Sequence, residues 1–188
     1  MKIFAKRLTE LEQSLVPYTE KADFPIFMIE ELRELGYQKV FAPAEYGGFG
    51  CSEFEMGAVR WEICKIDMSL ATFIGVHGLG ISAVMACGSE EQKKRILPDC
   101  CNLNKIMAFA ITEPDIGSDA TNMKTNAVKA TDGRDGYILN GEKIWIGSGT
   151  MADYVVVWAK NSSDGGQIQA FIIEKGQVGF TSEKMQGK

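Results

Sequence analysis

Residues 68–89 read MSLATFIGVHGLGISAVMACGS, 22 residues without Asp, Glu, Lys or Arg. The length alone admits a membrane span. The content argues against one, because Gly75, Gly78, Gly80, His77, Ser69, Thr72 and Ser82 leave the run only moderately apolar. Within it, Gly78 to Ala83 spell G-x-G-x-x-A, the outline of a dinucleotide-binding turn. That turn needs a strand before it, a helix after it and an acid about 20 residues on. Here the helix would be cut short at Gly88, and Asp99 follows Pro98 rather than a second strand. The reading that remains is a helix buried in a soluble bundle, apolar on most sides. His77 is the single histidine; without a partner histidine it reads as a packed core residue rather than a metal ligand.

Outward toward the N-terminus the helical period continues. Ile3, Phe4, Leu8, Leu11 and Leu15 recur at helical spacing, with Pro17 as the expected end. Ile26, Ile29, Leu32 and Leu35 repeat the pattern, and Gly36 is the stop signal. Residues 42–50, APAEYGGFG, read as a loop. Ser52 with Glu55 and Ser89 with Gln92 are capping boxes, each opening a helix. Met56, Val59 and Ile63 share one face of the first, and Pro98 is the expected end of the second. The expectation is a bundle of about five helices over residues 1–105.

Toward the C-terminus the period changes. Residues 106–111, 126–130, 137–139, 142–146, 154–158 and 168–173 read as short strands, the last two separated by NSSDGG. Asn140-Gly141 between alternating apolar residues predicts a hairpin joining 137–139 to 142–146. The fold class expected is α+β: an N-terminal α-helical bundle, then over residues 106–188 an antiparallel β-barrel or sandwich domain that is incomplete at Lys188.

Composition limits the function classes. The 188 residues are 45% hydrophobic and 24% charged, with a net charge of −5, which is globular and disfavours a general nucleic-acid surface. A local anion pocket at an amide nest remains compatible with an acidic chain. Five cysteines without a C-x-x-C pair suggest neither a disulfide framework nor a zinc site and fit a reducing compartment. The start, MKIFAKRLTELEQ, has no long apolar core, so no secretory signal is read there, and its early acids are unlike a transit peptide. Asn161-Ser162-Ser163 is a sequon that reads as a turn.

Two segments concentrate unusual residues. The first is Thr112-Glu113-Pro114-Asp115-Ile116-Gly117-Ser118-Asp119, directly after a predicted strand. Pro114 biases Glu113 toward extended backbone, Gly117 permits a tight turn and close approach by a ligand, and the amides after Gly117 are a candidate anion nest. Taken alone, the segment reads first as a polar loop capped by Asp115 and Asp119. The second is Lys143-Ile144-Trp145-Ile146-Gly147-Ser148-Gly149, where a tryptophan beside small residues suits a flat aromatic ligand. Alone, it reads first as a core tryptophan and a flexible turn.

Together the two are specific. AFAITEPDIGSD (108–119) followed by NGEKIWIGSGTMADYVVVWAK (140–160) resembles the acyl-CoA dehydrogenase and oxidase family in order and spacing. ATFIGVHGLG (71–80) and CGSEEQKKRILPDC (87–100) are similar to the central and last helices of that family's N-terminal domain. The variants look nearest the glutaryl-CoA dehydrogenase-like and plant peroxisomal short-chain acyl-CoA oxidase branch, and the resemblance covers essentially the whole chain.

The resemblance implies a chemistry. FAD takes a hydride from the β-carbon of an acyl-CoA thioester while a glutamate removes the α-proton, giving the trans-2-enoyl-CoA. It implies that Phe109, Ile111 and Thr112 meet the isoalloxazine, that Gly117 and Ser118 bind the pyrophosphate, with Ser118 also near the CoA, and that Trp145, Ile146 and Gly147 pack on or along the ring. Two positions depart from the pattern: many members carry threonine at Gly147 and tyrosine at Phe109, so the resemblance implies the loss of two side-chain hydroxyl contacts, the first replaceable by a backbone amide, and a change in redox tuning. Members are about twice this length and add a C-terminal four-helix domain, which holds the catalytic glutamate and the dimer and tetramer contacts. No catalytic base is therefore expected in this chain, and the chain alone is expected to be inactive. Glu113 is expected to be structural. The implied partners are an acyl-CoA substrate and either an electron-transfer flavoprotein or oxygen, with a homodimer or homotetramer at full length, no membrane span, and a peroxisomal or mitochondrial-matrix location. The alternative is a non-catalytic truncated product acting as a binding module; a nicotinamide domain on Gly78 to Ala83 is remote.

Overall fold

Helix α4 (Met68–Cys87) is the axis on which the structure is built. The computed structural model describes residues 2–21, 23–131, 133 and 135–185. Asp67 caps α4 by accepting the Leu70 N–H at 2.9 Å. The helix is long and apolar enough to cross a membrane, yet half of its most apolar stretch is buried inside the protein. Leu70, Phe73, Ile74, Ile81 and Val84 enter the main core. Each such side chain contributes about 1.5–3 kcal/mol by leaving water.

The glycines of α4 serve packing. A Cβ on Gly78 would sit 2.5 Å from the Phe41 ring, and one on Gly80 would sit 2.6 Å from Met107 Cβ. They lie mid-helix, so the dinucleotide-turn outline has no turn behind it.

Against α4 pack α3 (Glu53–Cys64) and α5 (Glu90–Cys101); α1 (Lys2–Glu20) meets α3, and α2 (Met28–Leu35) meets the 3-10 turn Tyr37–Phe41, which itself packs on α4. Both capping boxes form in full. Gly36 ends α2 in the left-handed region at φ 73°, where glycine carries no Cβ penalty. The buried positions of α2 are Met28 and Leu32, while Ile26 lies outside the helix and is exposed. The side chains of Ile3, Phe4 and Leu8 lie outside the described part; Leu15 is buried and Leu11 packs partly against the core.

Two expected helix ends are corrected. Pro17 and Pro98 both sit inside their helices. Pro17 falls near the end of α1, where the Asp23 N–H still closes on the Tyr18 carbonyl at 2.9 Å. Beyond Pro98, α5 continues far enough to bury Cys100 and Cys101. Tertiary burial there offsets the penalty of about 3 kcal/mol for an interior proline. All five cysteines are free.

The second half forms a sheet of β1 (Met107–Ala110), β2 (Asn126–Lys129), β3 (Tyr137–Asn140), β4 (Tyr154–Asn161) and β5 (Gln167–Glu174). The α+β architecture is as expected, but the sheet is mixed rather than antiparallel. β1 and β2 line the same edge of β4, both parallel to it: β1 over Tyr154 to Val157, β2 at Lys160 and Asn161. Long connections lead from each to β4, as parallel pairing requires. β5 runs antiparallel along the whole other edge of β4.

The expected Asn140-Gly141 hairpin is also corrected. β3 pairs antiparallel with β2 across residues 130–136, and residues 142–146 form no strand. A Cβ on Gly141 would lie 2.7 Å from Thr125 Cα, so this glycine allows two backbones to touch rather than a two-residue turn.

The sheet has two apolar faces. Met107 and Val156 join the helical core, with Phe109, Tyr154, Ala170 and Ile172 packed against it. Ala108, Ala110, Val155 and Val157 form a smaller cluster on the other side with Ala152, against which Ile146 and Phe180 pack.

Candidate functional site

The loop leaving β1 is organised by the carboxylate of Glu113. It accepts the Lys124 N–H at 2.7 Å and the Thr125 N–H at 2.9 Å. It also accepts the Thr125 hydroxyl and, at 2.9 Å, the Lys143 ammonium. Lys143 Nζ donates in addition to the Ile111 carbonyl at 3.0 Å. The side chains of Lys143 and Glu113 are 8% and 5% exposed. Burial pushes the Glu113 carboxyl up, but the donors from Thr125, Lys124 and Lys143 outweigh it and bring it down to about 2. Hydrogen bonds to the charged form win over desolvation.

The same junction joins the two segments singled out above. Next to Lys143, the Ile144 N–H donates to the Thr112 carbonyl at 3.0 Å. Beyond it the backbone is strained: Trp145 has φ 63° and Ser148 φ 61°. Non-glycine residues in the left-handed region persist only where surrounding structure over-determines them, and they cluster at functional sites. Gly147 lies between them against α4, where a Cβ would come within 3.0 Å of Val76 Cγ2. Trp145 is 55% exposed, so it is not the core tryptophan that a segment-alone reading favours.

The predicted residues thus fall into three places. Ile111 and Thr112 are held beside the stretch that carries Trp145, Ile146 and Gly147. Phe109 lies on the helical side of the sheet, its ring centroid 6.0 Å from that of Trp158, whereas Ile146 packs on the opposite side. Gly117 and Ser118 are exposed on the loop after the bridge between Glu113 and Ile116. The turn does not need its glycine: Gly117 has no positive φ, and a Cβ there would meet nothing within 4 Å.

Sequence reasoning missed Thr125, Val76 and the role of Lys143. A lysine in the apolar run Lys143 to Ile146 was the one available signal, because a charge there must find a partner. Thr125 and Val76 carry no such mark.

The open side of the sheet forms a cleft of about 1350 Å³, lined by Ala110, Val155, Val157, Ile173, residues 137–151 and residues 177–185. It takes in Trp145, Ile146 and Gly147 but not Thr112, Gly117 or Ser118. Polar binding potential lies partly in this lining and partly on the loop after β1. Among the described residues, the main-chain N–H groups of Thr112, Gly117, Ser118, Ile146 and Gly147 have no hydrogen-bond partner. Those donors fit a flat ligand with acceptors along one edge and an anionic group near Gly117 and Ser118.

Comparison with known proteins converges on one group. A family model described as the acyl-CoA dehydrogenase N-terminal domain matches residues 3–104, and one described as the middle domain of the same family matches residues 108–188. An acyl-CoA dehydrogenase of Bacillus subtilis is 36% identical over 173 residues, covering 90% of this chain and 45% of that protein. The glutaryl-CoA dehydrogenase structure from Mycobacterium smegmatis superposes with a TM-score of 0.87 at 30% identity, covering 100% of this chain and 48% of that one. The structure of an acyl-CoA dehydrogenase complexed with FAD from Bacillus anthracis gives 0.85 at 33% identity, covering 100% of this chain and 32% of that one. The chain spans less than half the length of these relatives.

Proposed function

The chain belongs to the acyl-CoA dehydrogenase family, and from that premise we propose that it supplies the N-terminal (1–105) and middle (106–188) parts of an FAD-dependent enzyme that oxidises an acyl-CoA thioester to the trans-2-enoyl-CoA. One observation carries the reading. Thr112 gives its carbonyl to Ile144, while its N–H and hydroxyl have no partner among the described residues. The Ile144 bond ties Thr112 to the stretch that carries the free amides of Ile146 and Gly147, and an acceptor-rich ring edge would need such donors.

When bound, FAD supplies the acceptor for a hydride from the β-carbon. The residues of this chain bind and orient. Thr112, Ile146 and Gly147 offer donors to the ring edge, and Trp145 offers an exposed aromatic face. Gly117 and Ser118 present open amides to the pyrophosphate, and Ser118 adds a hydroxyl within reach of the CoA. Ile111, tied through its carbonyl to Lys143, would flank the ring, and Phe109 would approach it from the helical side of the sheet.

Removal of the α-proton is not assigned to a residue of this chain. Glu113 is unsuited to it: a buried carboxylate held by four donors at a pKa of about 2 is a poor general base near neutrality. The base, the acyl-chain pocket, the homo-oligomer contacts and the docking of an electron-transfer flavoprotein or oxygen as acceptor are assigned to the full-length protein, in the mitochondrial matrix or the peroxisome.

Titration of the 188-residue chain with FAD, followed by flavin fluorescence, tests the reading. Saturable binding that is weakened in Gly117→Ala is expected. An affinity for FAD no better than that of an unrelated acidic protein would overturn it, as would unchanged binding in Gly117→Ala and Thr112→Val together.

A further inference from the structure

We infer that Lys143 is a positioning residue: acting through the buried carboxylate of Glu113, it sets the spacing between the two segments that carry the donors of the site. The inference rests on the flavin-binding reading above but has a readout independent of it.

Three stretches far apart in sequence meet at this pair. Lys143 Nζ spans the Ile111 carbonyl at 3.0 Å and Glu113 Oε1 at 2.9 Å, which brackets Thr112 on both sides. The residue after Lys143 then ties the Thr112 carbonyl at 3.0 Å. On its other side, the Glu113 carboxylate takes the N–H groups of Lys124 and Thr125 at 2.7 and 2.9 Å. The backbone of Thr125 in turn lies against Gly141, two residues before Lys143. The three stretches form a closed triangle with the ion pair at its centre.

Energy alone does not explain such a pair. Burying two charges costs several kcal/mol per ion, and an apolar pair of similar volume is often as stable. Directionality does explain it. A carboxylate accepts near its plane, and an ammonium, though it rotates about its C–N bond, must lie within hydrogen-bond reach of both its acceptors at once, so together they define distances that methyl contacts do not. What is defined here is the offset between Thr112 and the run 144–147.

The test uses two variants of the 188-residue chain. Glu113→Gln keeps the shape and one acceptor oxygen; Glu113→Gln with Lys143→Met removes both charges. For each, global stability is measured by urea unfolding, amide hydrogen exchange is followed at Ile144 and at an α4 core amide, and FAD affinity is titrated. The expected result is exchange at Ile144 about tenfold faster or more while the α4 amide keeps its protection, with FAD bound about tenfold more weakly. If both variants lose stability but keep Ile144 protection and FAD affinity, the pair is only a stabilising contact and the inference falls. If the double variant does not fold, Glu113→Gln alone decides. If the parent chain does not bind FAD, the functional reading fails, and the Ile144 exchange still accepts or rejects the positioning role.

Discussion

His77 on α4 accepts the main-chain N–H of Met107 on β1 through Nδ1 at 3.1 Å. Its Nε2 therefore carries the proton and donates to the Cys100 carbonyl at 3.0 Å. One fully buried imidazole thus joins the central helix, the end of α5 and the first strand. That strand leads directly into Ile111 and Thr112, so the joint also sets where the site lies relative to the helices.

The joint is acid-labile. Burial lowers the His77 pKa from 6.5 to about 4, despite the hydrogen bond to Cys100. The folded state thus binds this proton less readily than the unfolded chain. The stabilisation is full above about pH 6.5 and is lost as pH falls from there toward about 4, an increment of about 3 kcal/mol. Urea midpoints at pH 7.5 and pH 4.5 should show this fall in the parent. His77→Gln, which has no proton to gain, should flatten it; an equal fall in both would refute the assignment.

A second acid window belongs to Glu113. Its pKa is about 2 in the fold against 4.5 for the free group, so its contribution is present above about pH 4.5 and lost as pH drops through about 2. The increment is about 3 kcal/mol. Thr125→Val removes the hydroxyl donor and should raise this pKa, moving the loss of stability toward pH 4. Carboxyl NMR titration of the labelled glutamate reads the pKa directly.

Two helical glycines should respond in opposite directions to alanine. Gly80→Ala gains about 1 kcal/mol of helix propensity but drives a Cβ to 2.6 Å from Met107 Cβ, and overpacking of about 1–3 kcal/mol should dominate. Gly57 in α3 has nothing within 4 Å of a Cβ, so Gly57→Ala should raise stability by about 0.5–1 kcal/mol. Thermal midpoints of the two variants should move to opposite sides of the parent.

Gly147 and Val76 should couple. Gly147 does not have a positive φ, so alanine is allowed by its backbone, but Val76 must give way by a few tenths of an ångström. Gly147→Ala is expected to lose about 1 kcal/mol, and Val76→Ala to relieve part of that loss. A double-mutant cycle measures the pair; strictly additive effects would show that the two residues do not meet.

Much of the helical half was legible because its signals are local. Ser52 with Glu55, Ser89 with Gln92, and Gly36 act within one turn, and all three formed as read. The buried character of residues 68–87 and the core role of His77 followed from composition. Five of the six strands expected after residue 106 form, all but 142–146, and the TEPDIGSD and WIG segments stand out from the sequence alone. The misreadings share a cause: local signals were overruled by distant partners. Pro98 did not stop α5, because Cys100 and Cys101 find burial beyond it. Asn140-Gly141 did not make a hairpin, because Gly141 is needed against Thr125.

The sequence by itself determined the elements, their caps and the apolar faces they bury, since each depends on residues within a few positions of one another. Only the tertiary structure decided that β1 and β2 run parallel to β4, and that Lys143 and Glu113, thirty residues apart, close into one buried ion pair. No local pattern encodes these, because a charge or a strand edge fixes that it needs a partner but not which one. The partner is chosen by the geometry that burying everything else imposes.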